Sequence, residues 1–186
     1  MGENVDKEDK MENYDISNLE KTIKDTCLIE GDFLLASGVR STYYFDKYQF
    51  QADPELLNEI AHELTEIDVD YWRDIDYVAG LEMGGISIAT MISSIMDIPM
   101  LQVRKKAKEY GTAKGIEGPN CIGKRVSIIE DVVTSGGAVL QATSDLRAAG
   151  ATVVGAHCVI LRDNNGKENL INVGVPLYAL FDFTPK

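Results

Sequence analysis

Between Ile16 and Ile29 the apolar residues Ile16, Leu19, Ile23 and Leu28 fall near one face of a 3.6-residue period, with acidic positions opposite. That spacing predicts an amphipathic helix over 16–29. The period then changes. Phe33-Leu34-Leu35 and Tyr43-Tyr44-Phe45 are short, β-prone runs on either side of Ser37-Gly38, and together they predict a hairpin. Asp53-Pro54-Glu55 carries a helix-start signal, Asp as N-cap and Pro at the first helical position, ahead of Leu56, Leu57, Ile60 and Leu64.

From Tyr77 onward the pattern alternates between buried-strand runs and helical stretches. Strands are predicted at Tyr77–Ala79, Met100–Val103, Arg125–Ile129 and Thr152–Leu161. An apolar helix is predicted from about Ile86 to Met96, and a second from the loop Thr134–Gly137 to near Gly150. A polar stretch with several glycines, Lys105 to Gly123, fills the remaining interval. Strands alternating with helices specify an α/β fold, a parallel sheet flanked by helices on both faces. Ligands of such sheets collect beyond the C-terminal ends of the strands. No internal repeat or low-complexity linker is present. The 186 residues suit one domain, 14–186. Residues 1–13, dominated by Glu, Asp, Lys and Asn, read as a disordered acidic tail, with Met11 a candidate for the original start.

Composition narrows the function. Hydrophobic residues at 45% and charged residues at 26% are those of a globular protein. A net charge of −12 argues against nucleic acid or an anionic membrane surface as partner, so any cluster of cations calls for a specific anion. Cys27, Cys121 and Cys158 lack Cys-x-x-Cys spacing and read as small buried side chains in a reducing cytosol. With no signal-peptide pattern and no apolar run approaching membrane-spanning length, the expected location is cytoplasmic.

The most informative segment is Val126-Ser127-Ile128-Ile129-Glu130-Asp131-Val132-Val133-Thr134-Ser135-Gly136-Gly137-Ala138. A buried strand runs into two adjacent carboxylates and then into a hydroxyl- and glycine-rich turn at a helix start. Backbone N–H groups over Thr134–Gly137, with the roughly half positive charge of a helix N-terminus, suit a phosphate. Glu130 and Asp131 would repel a phosphate they faced, and are better suited to sugar hydroxyls or to water on a magnesium ion. The plainer alternative is an N-capped helix after a strand, with the acidic pair as a solvated turn. A second segment, Arg104-Lys105-Lys106-Ala107-Lys108-Glu109-Tyr110-Gly111-Thr112, packs four cations into five positions of an acidic chain. It reads either as ordinary surface lysines or as a lid that brings positive charge to a leaving group.

The first segment resembles the signature of the type I phosphoribosyltransferases for phosphoribosyl pyrophosphate (PRPP). The second resembles the catalytic loop of the orotate phosphoribosyltransferases, whose Arg-Lys-x-x-Lys pattern is met by Arg104, Lys105 and Lys108. Tyr110 stands where bacterial members usually have His, and archaeal members are similar down to Lys-Glu-Tyr-Gly-Thr. Phe33 to Asp46 looks like the N-terminal hood of that family (about 14–50 here), in which bacterial members carry Lys at the position of Ala36. Arg40 or Lys47 could take over that contact. Gly80 to Ile86 resembles the loop that approaches pyrophosphate; a plain strand-to-helix turn accounts equally well for Glu82. Arg162, before Asp163 at a strand end, matches the arginine that holds orotate; by residues alone it could equally pair with Asp163 or Asp131.

The resemblance implies a magnesium-dependent glycosyltransferase of pyrimidine biosynthesis, which joins orotate to the ribose of PRPP. It implies catalytic roles for Arg104, Lys105, Lys108 and Asp131. PRPP contacts would come from these residues with Tyr110, Glu130, Val132, Val133, Thr134, Ser135, Gly136, Gly137 and Ala138. Orotate contacts would come from Thr134 and Arg162. Mg2+ would be held by PRPP, with Glu130 and Asp131 acting through water and no direct protein ligand. A homodimer sharing its catalytic loop across the interface is also implied. His62 and His157 are assigned to structure. The competing readings are a purine phosphoribosyltransferase, which has no use for Arg162 or the hood, and a PRPP-sensing regulator without turnover, against which net charge −12 and the intact Arg104, Lys105, Lys108 set both argue.

Overall fold

The computed structural model describes residues 16–34, 38, 40–105 and 115–184. The acidic tail, Ala36, Lys108 and Tyr110 lie outside these residues. In chain order the elements are α1 (Ile16–Cys27), β1 (Leu28–Leu34), β2 (Arg40–Phe45), α2 (Tyr48–Ala52), α3 (Pro54–Glu66), α4 (Val69–Trp72), β3 (Tyr77–Leu81), α5 (Gly84–Met96), β4 (Met100–Val103), β5 (Ile116–Glu117), β6 (Arg125–Val133), α6 (Gly137–Ala148), β7 (Thr152–Leu161), α7 (Asn164–Ile171) and β8 (Leu177–Asp182).

Strands β3 to β8 form one sheet in the order β5-β4-β3-β6-β7-β8, parallel throughout except for β5 against β4. The alternation of apolar residues along each strand feeds two cores. On one face Ile129 and Ile160 pack with Leu19, Phe50, Ile60, Leu64, Trp72, Ile88 and Ile92 of the first five helices. On the other, Ile128 and Leu161 pack with Val139, Leu146 and Leu170 of α6 and α7. Full burial of side chains this size stabilises by about 1.5–3 kcal/mol each, so both helix layers are held to the sheet mainly by these contacts. All three cysteines are free and buried, as their sequence context predicts.

The expected hairpin forms, with β1 antiparallel to β2, but it starts earlier than its pattern implies. Leu28 and Ile29, assigned to the first helix by periodicity, are the first residues of β1 and are exposed. Asp53 caps α3 as predicted, accepting from the N–H groups of Glu55 and Leu56. The larger correction concerns β6, which runs to Val133 instead of ending at Ile129, because β7 supplies pairing partners as far as Leu161. Glu130 and Asp131 are therefore strand residues and not a solvated turn.

After β3 the chain crosses to β4 on one side and then returns to β6 on the other. The strand order thus reverses between β3 and β6, and a crevice opens there at their C-terminal ends. Among the described residues no helix is long and apolar enough to cross a membrane.

Candidate active site

The crevice is a cavity of about 550 Å3 bordered by Lys47, Leu81, Glu82, Arg104, Lys105, Glu130 and the start of α6. Its walls come from the ends of β3, β4 and β6, from Lys47 ahead of α2, and from α6. The β3–α5 turn passes against β6 so closely that a methyl group on Gly84 would overlap the Asp131 carboxylate. Only glycine permits that approach. The Glu82–Met83 peptide in the same turn is cis.

Asp131 is fully buried. Lys47 Nζ donates to its Oδ1 at 2.9 Å, Gln51 Nε2 donates to Oδ2 at 3.1 Å, and the Val132 N–H donates to Oδ1 at 2.6 Å. Gln51 is in turn held by Ser87 Oγ, which donates to Gln51 Oε1 at 3.0 Å. Helices α2 and α5 thus both position the carboxylate. Burial pulls the Lys47 ammonium toward neutrality, but the hydrogen bond and charge of Asp131 outweigh it and keep the group charged. Neither Gln51 nor Ser87 has any signal in the sequence, since each is distant along the chain and ordinary in its local pattern.

Glu130 folds back along its own strand, with Oε1 accepting from the Asp131 N–H at 3.0 Å. Burial, then the hydrogen bond and charge of Asp131, push its carboxyl up to about 8. The native state therefore holds a proton that the unfolded chain loses near pH 4.5. The sign follows: this group contributes no pH dependence below about 4.5, lowers stability progressively as pH rises toward about 8, and leaves a constant deficit above that. Glu130→Gln is accordingly expected to gain melting temperature relative to the native protein by roughly 5–10 °C at pH 8.5 and by almost nothing at pH 4. Thermal scans of both proteins across that range check it, and a difference independent of pH would reassign the proton.

Beyond Val133 the chain forms a second, smaller cavity of about 200 Å3, lined by Glu130 and the backbone from Val132 to Val139. Gly136 (φ +77°) caps α6, with no side-chain cap on the helix N-terminus. Among the described residues, the N–H groups of Thr134 to Gly137 donate to no acceptor. Such a row of open N–H groups at a helix start can hold a phosphate.

The base of the cation-rich loop is fastened twice. The Arg104 N–H donates to Gly115 O at 2.8 Å, and the Lys105 N–H donates to Glu82 Oε2 at 3.1 Å. Glu82 therefore links the β3–α5 turn to the loop. The Arg104 side chain contacts Glu117, Nε to Oε1, at 3.3 Å. Of the two candidates to replace the hood lysine, Lys47 lies in the cavity on Asp131, while Arg40 pairs with Asp32 on the exposed hairpin.

Arg162 sits past the end of β7 and is exposed. Its N–H donates to Val133 O at 2.8 Å, which ties it to the end of β6. Among the described residues its guanidinium has neither carboxylate that could have claimed it. Asp131 engages Lys47, and Asp163 caps α7 by accepting from the Asn165 N–H at 2.9 Å. His157 is buried in β7, 3.2 Å from Ser127 Oγ, and burial lowers it to about 3. His62 is half-buried on α3, and its carbonyl accepts from Thr65 Oγ1.

A parallel sheet with an open glycine-hydroxyl loop at one strand end, an acidic pair before it and Lys47, Arg104 and Lys105 around the neighbouring crevice is the arrangement of a phosphoribosyltransferase, and residues 47–174 match the family model of the phosphoribosyl transferase domain. The chain is 50% identical over 159 residues to an orotate phosphoribosyltransferase of Nocardioides sp., covering 86% of this chain and 87% of the relative. It is 42% identical over 154 residues to that of Pyrococcus abyssi, covering 83% and 85%. The crystal structure of Mycobacterium tuberculosis orotate phosphoribosyltransferase in complex with PRPP is similar over 91% of this chain and 97% of that one, with a TM-score of 0.76 at 25% identity. The chain belongs to the orotate phosphoribosyltransferase family.

Proposed function

We infer that this protein transfers the 5-phosphoribosyl group of PRPP to orotate, releasing pyrophosphate and forming orotidine 5′-phosphate, a step of pyrimidine biosynthesis. The observation that carries this reading is the open N–H row at Thr134–Gly137 beside the buried Glu130–Asp131 pair, with the backbone of Arg162 tied to the adjoining strand end at Val133. The first suits the 5-phosphate, the second the ribose hydroxyls, and the Arg162 side chain the carboxylate that distinguishes orotate from uracil. A guanidinium can grip that carboxylate with two parallel hydrogen bonds.

The residues' work is mainly positional and electrostatic. The anomeric carbon gains positive charge as its bond to pyrophosphate lengthens, while the orotate nitrogen approaches from the opposite face. Arg104, Lys105 and Lys108 meet the growing negative charge of the leaving group. Closure of the segment from Lys105 to Ile116 excludes water that would otherwise hydrolyse PRPP. Asp131, together with Glu130 once a bound cation has displaced its proton, would hold a magnesium ion through water, the ion being carried chiefly by substrate oxygens. When bound, Mg2+ supplies charge neutralisation at pyrophosphate.

We further propose a homodimer whose loops serve the partner's site. Exposed apolar residues on and beside the hairpin, Leu28, Leu34, Tyr43 and Tyr44, support a covered surface there. Free buried cysteines fit a reducing cytoplasm.

The deciding measurement is pyrophosphate release from PRPP with orotate, uracil, adenine or hypoxanthine as acceptor, with and without added Mg2+. Turnover is expected with orotate and to be strongly reduced by chelation. Turnover with a purine in its place would overturn the assignment of the base.

A further inference from the structure

The open N–H row of the phosphate loop has a structural cause outside the loop. In a trans peptide unit the C=O of one residue and the N–H of the next point in opposite directions. Three consecutive carbonyls are directed at the segment that follows β7. Val133 O accepts the Arg162 N–H at 2.8 Å. Thr134 O rests on Gly166, where a methyl group would overlap it. Ser135 O accepts from Asn169 Nδ2 at 3.1 Å. The N–H groups of the next three residues, Thr134, Ser135 and Gly136, are therefore turned away from that segment. None donates within the described residues, and no residue of 162–169 lines the small cavity on the loop's other side.

We propose that α7 is the template that aims the phosphate loop, and that Asn169 is a positioning residue for the 5-phosphate. It touches no substrate. It acts by holding the Ser135 peptide in the orientation that offers the Gly136 N–H to the anion. The proposal rests on the phosphoribosyltransferase reading for the identity of that anion. It also connects two parts of the site, because the segment that begins at Arg162 is the one that holds the loop carbonyls.

The test uses Asn169→Leu, similar in size but without a donor, and Asn169→Gln, which keeps the amide. Binding of ribose 5-phosphate and of orotate is measured by calorimetry, alongside steady-state kinetics and melting temperature. One neutral hydrogen bond acting through the loop predicts about a threefold to tenfold weaker ribose 5-phosphate Kd and higher PRPP KM for Asn169→Leu. The orotate KM should change less than twofold, kcat should fall by less than KM rises, and Asn169→Gln should recover part of the loss. Unchanged ribose 5-phosphate affinity overturns the proposal. So does a uniform loss in every parameter with a lowered melting temperature, which marks a merely structural role. If the native protein binds ribose 5-phosphate but does not turn over orotate, the assigned activity fails while the template survives. If it turns over orotate but binds no ribose 5-phosphate, the template fails while the assigned activity survives.

Discussion

Arg162→Ala is expected to lower kcat/KM for orotate by about tenfold to a hundredfold or more, since hydrogen bonds to a charged group are worth about 1.5–3 kcal/mol each. The residue is exposed, its N–H bond to Val133 O survives the substitution, and Asp163 is already occupied with capping α7. Among the described residues no side-chain contact of the guanidinium supports the fold. The melting temperature should therefore stay within a degree or two of the native value. Uracil, which lacks the carboxylate, is the control. It should react poorly with the native protein and change little in the variant, so that the preference for orotate collapses while PRPP affinity is kept. A parallel loss with both bases, accompanied by lower stability, would show that the side chain supports the strand end and does not read the substrate.

The parts of this molecule visible in the sequence are those whose pattern is local. The N-cap at Asp53, the strand ends at Val103 and Leu161, and the glycine-hydroxyl loop after Val133 all follow from adjacent residues with a direct conformational consequence. The extension of β6 was hidden because two carboxylates in a strand look like the beginning of a loop. Their place in the sheet depends on β7 supplying hydrogen-bond partners and on Lys47 supplying a counter-charge, and neither is nearby in sequence. Leu28 and Ile29 show the converse. Their spacing continues the helical period, but the chain turns into an exposed strand paired with Phe45 and Tyr44, a long-range decision that periodicity does not record. The same holds for Gln51, Ser87 and Asn169, three polar residues whose only distinction is the atom at the other end of the hydrogen bond.

Asp131→Asn should have the largest effect of any single change, lowering kcat/KM for PRPP by about a hundredfold to ten-thousandfold if the carboxylate accepts two ribose hydroxyls. The fully buried oxygens now occupied by Lys47 and Gln51 are those a diol or a metal-bound water would need, so binding must exchange one set of donors for the other. An amide has similar shape but carries no charge and turns a donor toward groups that donate. Loss of the Lys47 partner also costs stability. Combining the change with Lys47→Met removes the stranded ammonium and should restore most of the melting temperature without restoring activity, which separates the two roles. Full activity in Asp131→Asn at limiting PRPP would refute the assignment of this carboxylate. A further arm addresses assembly. Subunits carrying Asp131→Asn mixed with subunits carrying Lys108→Ala should regain one intact site per mixed dimer if the loop acts across the interface, about a quarter of native activity after random reassortment. If each loop instead serves its own subunit, every site in the mixture carries one defect, and mixing recovers nothing.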